Sequence, residues 1–270
     1  VNDVQLLNKL YFYINLKTGL VLTKNQFGNL KVRLTRLLTD QAVTTDNLES
    51  VLEGNQSLFE SLLEEILINE SYFFRNEDHF RVLRDIIFPV IIDKNIFQKD
   101  KRIRALSVGC STGQEPLSIL ISFAESNHTR EKIDFHIDAI DLSRKAILTA
   151  LAAEYTRIQC RGLSSEHKEK YFLKTRGEKL KPTAAFLEKI SYFHGNILSH
   201  ELYEGCYDII FARNTLIYFD DVNSERVKQK LIRAMKPGGY LFLGESEIGW
   251  GLGEKVQSMK FNQSIIYRKR

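Results

Sequence analysis

The 270-residue chain is 43% apolar and carries a net charge of +4, enough to bury one full core with a smaller appendage, so one α/β domain with an accessory unit is expected. No apolar run approaches the ~18 residues of a membrane span and no leader-like zoning marks the amino terminus, while the mild, dispersed charge argues against obligate nucleic-acid binding yet allows an acidic partner. Cys110, Cys160 and Cys206 are odd in number and lack histidines at ligand spacing, so neither a disulfide frame nor a zinc site is indicated. A soluble, untargeted chain with reduced cytosolic thiols is expected, and the start at Val1 suggests an excised domain.

Residues 1–68 read as helical. Val4, Leu7, Leu10, Tyr11 and Ile14 recur at helical spacing, as do Phe27, Leu30, Leu34, Leu37 and Leu38. Capping boxes are predicted at Asp46 with Glu49 and at Ser57 with Glu60, with Gly54 stopping the first of these helices. Arg33 and Arg36 share a face outside the apolar stripe, either as a solvated basic surface or as a dock for an acidic one. Residues 69–75, NESYFFR, interrupt this pattern with consecutive aromatics between Asn69, Ser71 and Arg75, which fits plain packing at a junction or a functional loop. A helix over 77–88 should end at Pro89.

From residue 101 strands alternate with helices. IRALSVGCSTGQEP, 103–116, reads as a buried strand, a small-residue turn from Gly109 to Gly113, and a helix opening near Glu115. Such a turn is where α/β sheets hold nucleotide-like ligands, although an ordinary βα turn has the same outline; neither a Walker lysine nor G-x-G-x-x-G spacing is present. The strand at 133–140 ends in Asp141, placed either to meet ribose hydroxyls or to cap the next helix. Residues 155–195 exceed a simple crossover. Tyr171–Lys174, Lys179–Pro182 and Ile190–His194 read as three short strands of an inserted antiparallel flap, a feature that usually handles substrate or partner. Asn196 then offers an amide to a purine edge. The strand YDIIFARN, 207–214, delivers Arg213 and Asn214 to the edge shared by Gly109 and Asp141. A helix starts at Asp220 or Asp221, strand Tyr240–Leu243 follows, and Ser264–Arg268 after a Gly-rich loop around Trp250 is a last strand. A late strand hairpinned beside its predecessor makes the sheet mixed, which favours adenosylmethionine over NAD.

The ordered set NESYFFR, VGCSTGQEP, DAIDLS, GNIL, FARNTLIYF and KPGGYLFLGESE resembles the CheR-type chemotaxis receptor methyltransferases, and with the helical front and the flap the resemblance covers nearly the whole chain. It implies a class I, Rossmann-like S-adenosylmethionine methyltransferase sheet with an N-terminal helical domain (1–68), a linker and connecting helix (69–100), and a methyltransferase domain (101–270) with an inserted β-subdomain near 168–195. It also implies cofactor contacts at Asn69, Ser71, Arg75, Glu115, Asp141, Asn196, Ile197, Arg213 and Asn214, with Gly109 and Gly113 positioning the cofactor. Arg75 and Tyr218 are the implied active-site pair, Tyr218 being otherwise a half-buried core tyrosine. The implied reaction is in-line methyl transfer from S-adenosylmethionine to ionised receptor glutamates, leaving S-adenosylhomocysteine, with no metal or general base. The implied setting is a cytoplasmic monomer acting on methyl-accepting chemoreceptor helices, with Arg33 and Arg36 docking, without membrane insertion or nucleic acid. The short KTRGEKLKP turn departs from relatives that tether to a receptor's carboxyl-terminal peptide, so no tight pentapeptide tether is expected. Ser71 stands where threonine is usual. A cofactor-holding sensor or scaffold, or a methyltransferase for another protein or a small acid, is the alternative. A base-flipping enzyme is disfavoured because Arg213–Leu216 lacks the D/N-P-P-Y/F pattern.

Overall fold

The computed structural model describes residues 3–41, 44, 46–96, 101–126, 133–247 and 252–270; the side chains of Arg33 and Arg36, and the loop at Trp250, lie outside the described residues. Four helices come first: α1 (Asp3–Thr18), α2 (Lys24–Gln41), α3 (Leu48–Gly54) and α4 (Gln56–Ile66). Their stripes bury Leu6, Leu10, Ile14, Leu30, Leu52 and Leu62 in a core of their own. Val4, assigned to the α1 stripe, is exposed instead, and the stripe runs through Leu6 and Tyr13.

Neither predicted capping box forms. Asn47 precedes α3 and spends its side-chain oxygen on the Thr44 amide at 2.6 Å, while Asn55 caps α4 by accepting from Leu58 N at 3.0 Å. Asn55 prevails over Ser57 because the chain re-enters helical geometry directly after Gly54, so the first free amides fall within reach of residue 55. Helix α5 (Glu77–Val82) also continues past its expected stop. It passes through a π-helical turn, Leu83–Ile87, into α6 (Phe88–Ile96). Proline lacks the amide hydrogen of an α-helical ladder, and the wider π turn just before Pro89 reorganises the carbonyls its ring would otherwise strike.

The remaining elements are β1 (Arg102–Val108), α7 (Gln114–Ser126), β2 (Asp134–Asp141), α8 (Arg144–Ala152), α9 (Ser165–Tyr171), β3 (Phe172–Lys174), β4 (Leu180–Pro182), α10 (Ala184–Leu187), β5 (Ile190–His194), β6 (Tyr207–Ala212), α11 (Asp221–Ala234), β7 (Met235–Leu243), β8 (Val256–Phe261) and β9 (Ser264–Lys269). Seven strands form one sheet in the order β5-β2-β1-β6-β7-β9-β8, parallel through β7 and antiparallel at β9 and β8. This is the mixed, Rossmann-like sheet expected from the sequence. Alternation along β6 sends Ile209 and Phe211 into one apolar layer and Ile210 and Ala212 into the other, so the sheet is covered on both faces.

The flap has two strands rather than three. β3 and β4 pair antiparallel, but Ile190–His194 joins the main sheet as β5, parallel to β2 from Ile137↔Ile190 to Asp141↔His194. Its buried first residue, Ile190, packs into the main core, which local alternation does not reveal. β8 was not anticipated: Gln257, Ser258 and Lys260 interrupt its apolar pattern, and only hairpin pairing with β9 defines it. Among the described residues no helix is long and apolar enough to cross a membrane.

His79 on α5 is 3% exposed, its ring edge-on to Phe242 at 5.6 Å, and its Nδ1 has no hydrogen-bond partner. Burial, reinforced by the Arg213 charge, lowers its pKa to about 3. Between the unfolded value of about 6.5 and the folded one, the unfolded chain alone takes up the proton, so stability falls with pH at up to about 1.4 kcal/mol per unit. Denaturant titrations from pH 7 to pH 5 should show this loss in the wild type and a flatter profile in His79→Phe. Parallel profiles would remove His79 as the cause.

Candidate active site

The carboxyl ends of the parallel strands converge on a cavity of about 280 Å³, the position at which open α/β sheets bind ligands. Its floor is the turn after β1. Gly109 has φ +70° and donates its amide to Ile140 O at 2.9 Å; a Cβ there would fall 2.1 Å from Thr215 Oγ1. Gly113, φ +95°, does not line the cavity but lies beneath the turn, under the Tyr155 and Tyr192 hydroxyls. Ser111, also at positive φ, donates its amide to Asp141 Oδ2 at 2.7 Å and its hydroxyl to Asn69 O at 2.9 Å.

Asp141 is not the cap of α8. Ser143 caps it, accepting from Ala146 N, while Asp141 Oδ1 accepts from Ser143 N at 2.8 Å and the Asp141 carboxylate lines the cavity. Burial raises the pKa of Asp141 even against these two amide bonds. Asn69 donates to Ser143 Oγ at 3.1 Å, bringing the junction loop onto the same rim. Glu115, one residue into α7, accepts from Ser107 Oγ at 2.7 Å and faces Arg213 Nε at 3.8 Å; burial raises its pKa, the Arg213 charge opposing.

Arg213 leaves β6 almost fully buried, with its guanidinium 5.2 Å from the Phe80 ring centroid and 5.7 Å from that of Phe211. Nη2 donates to the carbonyl of Arg75 and to Asn76 Oδ1, while Nε and Nη1 have no hydrogen-bond partner. Burial lowers the pKa of this arginine and Glu115 pulls it back up. Asn214 follows at φ +55°, and a 3-10 turn, Leu216–Tyr218, carries Tyr218 to the rim. Burial raises the Tyr218 pKa while the Arg75 charge opposes, so the phenol stays protonated at neutral pH. Arg75 lines the same cavity and donates to Glu70 O at 3.3 Å.

Of the residues singled out in the sequence, Asn69, Ser71, Arg75, Gly109, Glu115, Asp141, Asn196, Ile197, Arg213, Asn214 and Tyr218 all line this one cavity. Asn196 spends much of its amide on protein, donating to Thr18 O at 2.9 Å and accepting from Leu198 N at 2.9 Å. Arg33 and Arg36 lie on α2; among the described residues of that helix Gln26, in its first turn, lines the cavity.

Three contributions escaped sequence reasoning. Leu20 and Val21, in the α1–α2 linker, line the cavity and cross the Tyr218 segment: Val21 N donates to Tyr218 O at 2.8 Å and Leu20 bridges Phe219. Glu247, 6% exposed, accepts from the amides of Asn214, Thr215, Leu216, Ile217 and Gly244. Tyr72 lines the cavity with the Arg161 guanidinium 3.7 Å above its ring. A signal existed for Glu247, because GESE follows a parallel strand on the same sheet edge; Leu20 and Val21 carried none.

The family description "CheR methyltransferase, SAM binding domain" matches residues 69–265. "Chemotaxis protein methyltransferase 1" of Pseudomonas aeruginosa is 31% identical over 258 residues, covering 93% of each chain. "Chemotaxis protein methyltransferase Cher2" of Pseudomonas putida is 31% identical over 261 residues, again covering 93% of each. "Probable biofilm formation methyltransferase WspC" of Pseudomonas aeruginosa is 28% identical over 220 residues, 81% of this chain and 51% of that one.

Gly109 gives the direct test of the turn. Gly109→Ala forces a side chain into a left-handed position and against Thr215, so stability should fall by about 2–4 kcal/mol. Denaturant midpoints at constant slope measure it, and a change below about 0.5 kcal/mol would contradict the close approach.

Proposed function

The chain belongs to the CheR methyltransferase family and is an S-adenosylmethionine-dependent methyltransferase; we propose that its acceptors are glutamate side chains on the cytoplasmic helices of a chemoreceptor or receptor-like signalling protein. When bound, S-adenosylmethionine supplies an electrophilic methyl group on a positively charged sulfur. The cavity suits such a ligand on its own chemistry. Arg213 keeps two buried, unpartnered nitrogens beside Glu115, an arrangement matched to a ligand with both a carboxylate and an ammonium. Asp141 offers remaining lone pairs to ribose hydroxyls, and Ile140 and Ile197 supply apolar wall. Asn69, Ser71, Asn196 and Asn214 complete the proposed set, with Gly109 and Gly113 shaping the turn.

The observation that carries the acceptor assignment is the pairing of Arg75 with a protonated Tyr218 on the rim. A glutamate carboxylate, with a reference pKa of about 4.3, is already ionised at neutral pH, so the protein need not remove a proton. Arg75 would orient that carboxylate and the Tyr218 hydroxyl would donate to one of its oxygens, leaving the other oxygen's lone pair to take the methyl group as the carbon–sulfur bond breaks and its electron pair leaves with the neutral thioether. Enclosure by Leu20, Val21 and Phe219 limits water at the reacting groups. Arg33 and Arg36 are proposed to dock the acidic acceptor helix, and the protein to act as a cytoplasmic monomer.

Incubation with labelled S-adenosylmethionine and receptor cytoplasmic fragments should give alkali-labile methyl label; base-stable label would refute a carboxyl ester. Fragments from a chemotaxis receptor and from a biofilm-type chemosensory receptor identify the pathway. Arg75→Ala and Tyr218→Phe should lower kcat by about tenfold or more while changing cofactor Kd by less than about threefold. Unchanged turnover in both variants would sink the assignment.

The flap supports weak tethering only. Its strands have three residues each, joined through a short turn closed by Thr175 N to Lys179 O at 2.9 Å. Calorimetry with a receptor carboxyl-terminal pentapeptide should show no binding at micromolar concentration, and a micromolar Kd would overturn this.

A further inference from the structure

The geometry points to Glu247 as a positioning residue that holds the cofactor side and the acceptor side of the cavity in register. The inference rests on the methyltransferase roles proposed above for Asn214 and Tyr218, and Glu247 itself does not line the cavity.

A carboxylate that is 6% exposed is costly unless its lone pairs are filled. Among the described residues no lysine or arginine hydrogen-bonds to it. Backbone amides fill it instead: Oε1 accepts from Thr215 at 2.7 Å, Leu216 at 2.6 Å and Ile217 at 3.3 Å, and Oε2 from Asn214 at 2.8 Å and Gly244 at 2.7 Å. Four of these donors are consecutive residues leaving β6, where the sheet ladder has ended and the 3-10 turn is only beginning. These are amides that neither element can satisfy by itself. Glu247 satisfies them together, and in doing so fixes the left-handed backbone of Asn214 and the turn that presents Tyr218.

The rest of the segment agrees with this role. Gly244 is required for the approach, since a Cβ there would lie 2.5 Å from Glu247 Oε2. The Glu247 amide closes the loop onto Gly244 O at 2.9 Å. Two residues earlier, Glu245 Oε1 accepts from Asn76 Nδ2 at 3.0 Å, which ties the same loop to the neighbour of Arg75. The loop after β7 therefore reaches the segment that leads into Tyr218 and the neighbour of Arg75, and two of the donors it holds, Asn214 and Thr215, line the cavity.

Glu247→Gln is the discriminating variant. It keeps the volume and one acceptor oxygen but sets an NH₂ group against amide donors. Amide exchange of residues 214–217 should accelerate about 100-fold while β6 keeps its protection. Calorimetric Kd for S-adenosylhomocysteine should weaken about tenfold, kcat should fall about 100-fold with the acceptor KM within about twofold, and adding Tyr218→Phe should cost less than about threefold more. Unchanged exchange at 214–217, equal acceleration throughout β6, or fully multiplicative loss with Tyr218→Phe would each overturn the proposal. If Glu247→Gln does not fold, Gly244→Ala, which pushes the carboxylate away from the same amides, is read by the same measures. A wild type that binds the cofactor yet labels no glutamate refutes the acceptor reading alone, because exchange and cofactor affinity still decide on Glu247.

Discussion

The structure around the cavity depends on the burial of one cation. Arg213 is 4% exposed at the end of the central strand, and its guanidinium lies against two aromatic rings. A charge in that position is costly unless compensated, and partial compensation comes from separate parts of the chain: the Glu115 carboxylate on α7 and the Arg75 carbonyl and Asn76 side chain in the junction, with Nε and Nη1 left without a hydrogen-bond partner. Arg213 thereby ties the junction loop and the βα turn to the exit of β6. The pKa directions agree, because burial disfavours both charges and each favours the other's ionised form.

A second constraint joins the helical front to this site. Glu64 on α4 accepts from Ser143 Oγ at 2.7 Å and from Lys145 N at 3.0 Å, so the start of α8 is held by a residue of the N-terminal helices. Asn196 reaches Thr18, and Val21 reaches Tyr218. The α1–α2 linker is thus part of the cavity wall. Any displacement of these helices would therefore be felt at the Tyr218 backbone.

Legibility in the sequence followed the range of the interaction. Gly109, Asp141, Arg213 and Asn214 were readable because parallel strands deliver their carboxyl ends to one edge, and a strand's end is a local property. β5 was misassigned to the flap because pairing with β2 is a long-range choice, and a five-residue strand reads the same in either sheet. Pro89 misled because a π turn has no simple sequence signature. Thr23 and Gln26 do form a reciprocal capping box, Thr23 N to Gln26 Oε1 at 2.8 Å, while the two boxes expected from Asp46 and Ser57 lost to neighbouring asparagines. Leu20 acts across the fold on backbone groups, which any residue supplies, so no side-chain pattern advertises it, whereas the place of Glu247 just after a parallel strand was its one signal.

Charge arrangement explains which ligands this sheet edge accepts. Glu115 and Asp141 bring two carboxylates to the cavity, and Arg213 and Arg75 bring two guanidinium groups, with Glu115 3.8 Å from Arg213 Nε. A dinucleotide pyrophosphate over the glycine turn would meet Glu115 and Asp141 at close range, while the amides of Gly109, Cys110, Ser111 and Gly113 are already given to Ile140 O, Asp141 and Cys110 O. A zwitterionic, sulfonium-bearing ligand meets the opposite situation, with its cationic groups toward the carboxylates and its carboxylate toward Arg213. In the proposed reading Arg75 and the protonated Tyr218, which line the same cavity, are left for an anionic acceptor. On that reading the charges of the edge hold the cofactor against Arg213, Glu115 and Asp141 and the acceptor against Arg75 and Tyr218, bringing opposite charges together where the methyl group passes.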